Sequence, residues 1–288
     1  MTTEISPELA AKLENLFAWL RGRACAIAFS GGVDSVTLAK ILMIAFDRNL
    51  LTVAPVGYFA ESATSTSLER FEARRIADEI GLKLHTIESS EFNDPRFVEN
   101  NPKRCYWCKR IRFSALKELA QRELDASKRI EITLVDGSNA DDTGDYRPGI
   151  QAAREVGVAS PLAEAEITKE EIRLLAARWN LSVAQKPSTP CLATRIAYGI
   201  PLANDVLRRV EAAELAIRAF GASTCRARVD SYDSVRIETP EEEIDRFLNA
   251  ESRRRLVADM RAIGFSFVSL DLEGFQSGKN NRTITNQK

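Results

Sequence analysis

The sequence predicts a two-part α/β protein: a parallel sheet with helices on both faces over residues 1–185, then a smaller α+β unit over residues 186–288. Three observations carry this. Short apolar runs alternate with helix-length stretches from Cys25 to Trp179, the pattern of successive strand–helix–strand units. The first of these junctions, Ser30-Gly-Gly-Val-Asp-Ser35, is a glycine turn between an apolar run and a helical repeat. The texture then changes at residues 185–201, where three prolines and two candidate turns mark a linker or crossover.

Pro7 to Leu20 places Leu9, Leu13, Leu16, Phe17 and Leu20 on one face, so it is expected as a helix laid on the core. Ala26 to Phe29 is the apolar run of a buried parallel strand, and Leu38, Ile41 and Leu42 repeat at helical spacing after the turn. At that turn Gly31 and Gly32 let the backbone approach a ligand closely, and the first N–H groups of the next helix lack internal partners. With the hydroxyls of Ser30 and Ser35 and the positive end of a helix dipole, this is an anion site.

A second strand is expected over Leu51–Phe59, a helix from the Ala60–Leu68 region to a stop at Gly81, and a third strand over Leu82–Ile87. Residues 89–104 read as an irregular loop, followed by a helix over 109–125 and a strand over Ile130–Asp136. At the carboxyl end of that strand lies Asp136-Gly-Ser-Asn139-Ala-Asp141-Asp142-Thr-Gly-Asp145-Tyr-Arg147-Pro-Gly149. Ligands of open parallel sheets bind at such ends, so this loop is expected to face the same crevice as Ser30–Ser35, with carboxylates suited to Mg²⁺. Ser160-Pro-Leu162 reads as a short extended piece, and Thr168-Lys-Glu-Glu171 as a capping box opening a helix to Trp179. Beyond the linker come a helix over Asn204–Phe220, strands near Arg226–Val229 and Ser234–Ile237, a helix from the Thr239-Pro240 cap onward and a strand over Phe265–Leu270.

Composition excludes several function classes. With 44% hydrophobic and 28% charged residues the chain can bury a core, and a net charge of −1 gives no global attraction to nucleic acid or an anionic membrane. No apolar stretch reaches membrane-spanning length and the first residues lack a signal-peptide pattern, so a cytoplasmic setting is expected. The single histidine, His85, lies on a predicted strand, where a packed or half-exposed role is the commoner one, so a Ser-His-Asp site is weakened and a histidine-rich zinc site is ruled out.

Five cysteines, two of them in Cys105-Tyr-Trp-Cys108, favour metal or redox chemistry over disulfides in a reducing compartment. Cys105 and Cys108 fall on one side of a turn, and Cys191 follows Pro190 in a separate bend; Cys25 and Cys225 read as small core residues. Three thiolates leave a fourth position open. On zinc it would be water or a carboxylate, and on a 4Fe-4S cluster it would be an open iron.

Ser30-Gly-Gly-Val-Asp-Ser35 resembles the pyrophosphate loop of the PP-loop ATP pyrophosphatase superfamily. Together with Asn101-Pro-x-Arg-Cys-Tyr-x-Cys-Lys109, the Asp136–Gly149 loop, Ser160-Pro-Leu162, Lys186-Pro-x-x-x-Cys-Leu-Ala-x-Arg195 and Asp271-Leu-Glu-Gly-Phe-x-Ser-Gly278, it is similar to the LarE family over nearly the whole chain. The resemblance implies an ATP-dependent sulfur transferase that adenylates a carboxylate of pyridinium-3,5-dicarboxylate mononucleotide and converts it to a thiocarboxylate, for the nickel-pincer nucleotide of lactate racemase. It implies Ser30, Gly31, Gly32, Asp34, Ser35, Asn139, Arg147 and Arg195 around ATP, with Asp34 and Ser35 also in the adenylating step. Asp141, Glu211 and Glu238 are implied as Mg²⁺ carboxylates, and Cys191, Glu214, Arg226 and Arg228 in sulfur transfer.

One type of member sacrifices the sulfur of the cysteine matching Cys191. This chain, having Cys105 and Cys108 as well, resembles the type whose three cysteines hold a 4Fe-4S cluster. Self-association and a sulfur source, free sulfide or a donor protein, complete what the resemblance implies. Competing readings are a cluster-dependent tRNA thiolase, disfavoured by the lack of a basic run, and a non-catalytic nucleotide-binding protein with a structural zinc.

Overall fold

The computed structural model describes residues 5–125, 130–142, 148–187, 189–276, 279 and 282. Its elements run α1 (Pro7–Leu20), β1 (Ala24–Ala28), α2 (Val33–Asp47), β2 (Val56–Glu61), α3 (Ser67–Ile80), β3 (Lys83–Glu88), α4 (Pro95–Val98), α5 (Arg104–Asp125), β4 (Ile132–Val135), α6 (Pro148–Val156), α7 (Pro161–Glu164), α8 (Lys169–Arg178), α9 (Asn204–Ala219), β5 (Arg226–Ser231), β6 (Ser234–Glu238), α10 (Asp245–Leu248), α11 (Ala250–Ile263) and β7 (Phe267–Leu270). They form two units. The first comprises Met1–Ser62, Ser67–Glu91 and Cys105–Thr189, the second Ala63–Thr66, Phe92–Arg104 and Pro190–Lys288. No described helix is long and apolar enough to cross a membrane.

The first unit holds the expected parallel sheet, in the order β3-β2-β1-β4 with every pairing parallel. Strands β1, β2 and β4 are largely buried on both sides because both sides are covered, whereas the edge strand β3, Lys83-Leu-His-Thr-Ile-Glu88, has only exposed and half-buried residues. Cys25 and Ile27 of β1 face a core shared with α1, α2, α3 and α8. Ala24 and Ala26, together with Val56, Tyr58, Ile132 and Leu134, face a second core built with Phe113, Leu116 and Ala120 of α5 and Ala153 of α6. The expected capping box closes α8 at both arms: Glu171 N–H donates to Thr168 Oγ1 and Thr168 N–H to Glu171 Oε2.

Four local expectations are corrected. The helix α5 starts at Arg104 rather than Lys109, because Asn101 caps it: its Oδ1 accepts from Lys103 N–H at 2.8 Å and its carbonyl from Arg104 N–H at 2.9 Å. Residues 89–104 are not wholly irregular. They contain a 3₁₀ turn at Glu91–Asn93 and α4, capped by Asp94. Ser160-Pro-Leu162 is the start of the helix α7, with Pro161 in its first turn, and only Ala159 pairs in parallel with Val135. Strand β2 begins at Val56 rather than Leu51, because the N–H and hydroxyl of Thr52 are tied to Arg23 O.

The second unit carries a three-stranded sheet, order β5-β6-β7, with β5 and β6 antiparallel and β7 parallel to β6. Helix α9 buries Val206, Leu207, Val210, Ala213 and Ile217 and packs on β5 and α11. Thr239-Pro240 leads only into a 3₁₀ turn and the short α10; the longer α11 takes its cap from Asn249, whose Oδ1 accepts from Ser252 N–H at 2.9 Å.

Candidate functional site

The loop from Ser30 to Ser35 stands at the carboxyl end of β1, between β2 and β4 in the sheet. Gly31 has a left-handed φ of 70°, and a Cβ there would lie 3.0 Å from Ala73 Cα, so glycine serves both the turn and the close helix packing. Ser35 ties the loop to itself: its hydroxyl accepts from Ser30 N–H at 3.2 Å, donates to Gly32 O at 3.1 Å and lies 3.0 Å from Ser30 Oγ. Gly32 caps α2 without a side-chain hydrogen bond, which leaves the first turn of that helix without a capping acceptor. The arrangement favours an anion.

The loop after β4 locks onto this one. A Cβ on Gly137 would fall 2.8 Å from Ser35 N, so the two backbones are in direct contact. Asn139, buried, reaches Asp34 Oδ1 with its side-chain amide at 3.4 Å, while its own Oδ1 accepts from Asp141 N–H at 3.0 Å. Asp141 is exposed and accepts from Lys169 N–H at 2.7 Å, and Lys169 Nζ pairs with Asp34 Oδ2. Seven expected residues, Ser30, Gly31, Gly32, Asp34, Ser35, Asn139 and Asp141, are therefore one assembly. Arg147 lies outside the described residues.

Two lysines of this assembly escaped the sequence reading as site residues. Lys169 is hidden inside the capping box, and Lys186, which donates to Gly31 O at 3.3 Å and pairs with Glu72 at 2.7 Å, stood only as part of a motif. A buried carboxylate was missed as well. Glu91, fully enclosed, accepts from Ser62, from Ser89 and from Arg112, the last at 2.6 Å. Burial alone would raise its pKa. The charge of Arg112 and the hydrogen bonds of Arg112, Ser62 and Ser89 outweigh that and hold it below the usual carboxylate range.

Cys105 and Cys108 occupy the first turns of α5, Cys105 exposed and Cys108 half-buried. Arg112 follows on the same helical face, so its pairing with Glu91 anchors that face of α5 beyond the ends of β2 and β3. Cys25 and Cys225 are the buried cysteines expected. Burial pushes the Cys25 thiol up to about 12, opposed by Arg23. Cys225 rises to about 11 through burial and the charge of Glu214, opposed by Arg218, Arg226 and Arg195.

In the second unit, half-buried Cys191 precedes a 3₁₀ turn at Leu192–Arg195. Arg195, expected near the nucleotide, is fully enclosed. Its Nε and Nη2 donate to both oxygens of Glu214 at 2.7 and 3.1 Å, and Nη1 donates to Pro190 O, to Cys191 O at 3.1 Å and to Thr194 Oγ1 at 3.0 Å. Glu214 also accepts from Ala227 N–H in β5. Arg228 reaches Thr194 O at 2.9 Å and pairs with Glu238, whose other oxygen accepts from Arg236 at 2.8 Å. Glu238 thus serves as an ion-pair partner on both oxygens, and Glu211 sits one turn before Glu214 on α9.

Arg226 has no carboxylate partner among the described residues. It donates to Cys225 O at 2.7 Å and lies 4.9 Å from the Phe275 ring centroid. Burial and the charges of Arg195 and Arg228 lower its pKa, with Glu214 opposing. Within each unit, among the described residues, no three His, Cys, Asp or Glu side chains are grouped so that they could hold a metal ion.

No family model matches the chain. Full-length relatives do. It is 39% identical over 279 residues to an uncharacterised protein of Synechocystis, covering 96% of this chain and 99% of that one. An uncharacterised protein of Methanocaldococcus jannaschii is 26% identical over 264 residues, 91% of this chain and 95% of the relative. The pyridinium-3,5-bisthiocarboxylic acid mononucleotide synthase of Lactiplantibacillus plantarum is 33% identical over 278 residues, 96% of each chain. With the glycine-serine loop at the end of a parallel strand and a near full-length match of this kind, the chain belongs to the family of that synthase, the LarE family.

Proposed function

We propose that the protein is an ATP-dependent sulfur transferase of cofactor biosynthesis. In this reading it adenylates a carboxylate of pyridinium-3,5-dicarboxylate mononucleotide and converts it to a thiocarboxylate, in two rounds, toward the nickel-pincer nucleotide of lactate racemase. The observation that supports it most is the anion-receptive Ser30–Ser35 assembly in a chain 33% identical over 96% of its length to the named synthase. Residues 1–185 would carry adenylation, and residues 186–288 sulfur transfer and self-association.

The chemistry needs two displacements. A carboxylate oxygen of the substrate attacks the α-phosphorus of ATP, the α–β bridge breaks, and pyrophosphate leaves; sulfide then attacks the acyl carbon and AMP departs with the bonding pair. The loop N–H groups, Ser30 and Ser35 receive the charge that builds on pyrophosphate, and preorganised donors of this kind lower the barrier. Asn139 and Lys169 orient Asp34 at the loop. Asp34 and Asp141 offer hard oxygen ligands beside it, the donor type Mg²⁺ takes, and Mg²⁺ supplies charge neutralisation on the phosphates. Arg226 and Arg228 suit the phosphate of a nucleotide substrate.

Cys105, Cys108 and Cys191 are the thiols that would hold a 4Fe-4S cluster. They are at least partly exposed, whereas Cys25 and Cys225 are enclosed with raised pKa values and are unsuited to ligation. Held by these three thiols, such a cluster would supply an open iron position at which sulfide from solution or a donor protein could be carried.

Two variants test the reading. Asp34→Ala should abolish substrate-dependent AMP release while keeping the fold, and Cys191→Ala should spare AMP release but abolish thiocarboxylate formation. Undiminished AMP from the first, or full thiocarboxylate yield from the second, would overturn the corresponding assignment. Iron and sulfide analysis after anaerobic purification, lost in Cys105→Ala, tests the cluster. Stoichiometric zinc in its place would refute it.

A further inference from the structure

The first residue of α5 is a buried cation that the proposed chemistry leaves unused. Arg104 is 4% exposed, and no carboxylate among the described residues lies within ion-pair distance of it. Its Nη1 donates to Asn100 Oδ1 and, at 2.8 Å, to Ala193 O; the Tyr198 ring centroid lies 4.7 Å from the guanidinium carbon; Nε has no hydrogen-bond partner among the described residues. Asn100 is itself fully buried in a left-handed conformation, and its amide donates to Ala197 O and Ile200 O at 2.8 Å each. The pair is therefore fastened at several points to the segment that follows Cys191.

Arg195 grips the same turn from the other end, through Pro190 O and Cys191 O. Between them the two guanidinium groups occupy the carbonyls of residues 190, 191 and 193. Their partners differ in kind: Arg195 is paired with Glu214, whereas Arg104 is held only by neutral acceptors and an aromatic face. Desolvating a guanidinium in this way is unfavourable for stability, so the contacts that hold Arg104 at the turn must offset that cost.

We propose that Arg104 is a positioning residue for Cys191, fixing the turn that presents the thiol through the Ala193 carbonyl. Arg104 and the Cys191 turn belong to the same unit, so this contact lies within it. Its consequence for sulfur transfer rests on the function proposed above; its hold on Cys191 does not.

The test uses the full chain without ATP. Rates of iodoacetamide alkylation are followed at each cysteine by peptide mass mapping, with Cys25 and Cys225 as reporters of global opening. Loss of one charge-assisted hydrogen bond predicts that Arg104→Gln raises the Cys191 rate about tenfold with Cys25 and Cys225 still protected, and that Arg104→Lys, which keeps the charge but loses the guanidinium fork, gives a rate between wild type and Arg104→Gln. An unchanged Cys191 rate in Arg104→Gln would overturn the proposal. If that variant opens so far that Cys25 and Cys225 react as well, Arg104→Lys decides: Cys191 should react faster than in wild type while Cys225 stays protected, and no difference there refutes the role. A wild-type protein that makes no thiocarboxylate would sink the functional reading and leave the labelling result standing.

Discussion

The Ser30–Ser35 loop and the Cys191 turn are fixed by opposite means. The loop is held by steric contact, with Gly31 against Ala73 and Gly137 against Ser35, and by hydroxyls; its ion pair, Lys169 with Asp34, is about one-third and one-quarter exposed. The turn is held by charges that water scarcely reaches: Arg195 and Glu214 are 0% and 3% exposed at the side chain, Arg228 and Glu238 6% and 0%. On the proposed function the loop takes up and releases a polyanion, for which backbone donors and partly exposed, readily re-paired charges such as Lys169 and Asp34 are suited. On the same proposal the turn presents one thiol, and buried ion pairs, which are strongly coupled to geometry, would hold it in one arrangement.

That contrast can be broken most severely at Arg195. Arg195→Ala should cost about 3–5 kcal/mol by removing the two-pronged partner of buried Glu214, which keeps only the Ala227 N–H and Arg218 at 3.8 Å, read as a large fall in the urea midpoint. Arg195→Met with Glu214→Leu should recover much of that stability while leaving the Cys191 turn without its clamp, so stability and sulfur transfer would separate. Equal loss from the single and double variants would show that the pair is not the organising interaction.

The loop should fail sterically. Gly137→Ala places a Cβ 2.8 Å from Ser35 N and 3.0 Å from the Asp34 carbonyl carbon, backbone atoms that cannot swing away. A destabilisation of about 1–3 kcal/mol is expected, with a proportionally greater loss of AMP formation. Unaltered AMP formation would mean that the two loops do not act as one wall.

Glu91 gives a smaller, pH-dependent effect. Its folded-state pKa is depressed, so the stabilisation it contributes is fully present above the ordinary Glu value of about 4.3 and is lost as pH falls from there through the folded pKa. Glu91→Gln should flatten that acid limb in melting temperature against pH, and an unchanged slope would remove Glu91 from the account. The least effect on stability is expected from Lys169→Met, below about 1 kcal/mol for a partly exposed pair, yet AMP formation should still drop. A variant with normal AMP formation would place Lys169 outside the nucleotide site.

What the sequence revealed follows from how local each feature is. The Ser30–Ser35 loop was legible because its chemistry lies in consecutive residues whose types fix the backbone. Lys169 was not, since its partner Asp34 is 135 positions away and the capping box gave the segment a sufficient local explanation. The true start of α5 was written in Asn101-Pro102, a cap followed by proline, but the cysteines drew the helix boundary too late. Ser160-Pro-Leu162 misled in the other direction: the single residue that pairs with the sheet, Ala159, precedes it. Arg195 and Glu214 stood out by motif alone, and only the fold shows them as partners of each other.

The most direct test of the central claim is mass analysis of pyridinium-3,5-dicarboxylate mononucleotide after anaerobic incubation with the protein, Mg·ATP and sulfide. The account predicts replacement of carboxylate oxygen by sulfur, first once and then twice, with one AMP formed for each replacement and none by Asp34→Ala. ATP consumed to ADP, or AMP formed with the pyridinium compound unaltered, would contradict it.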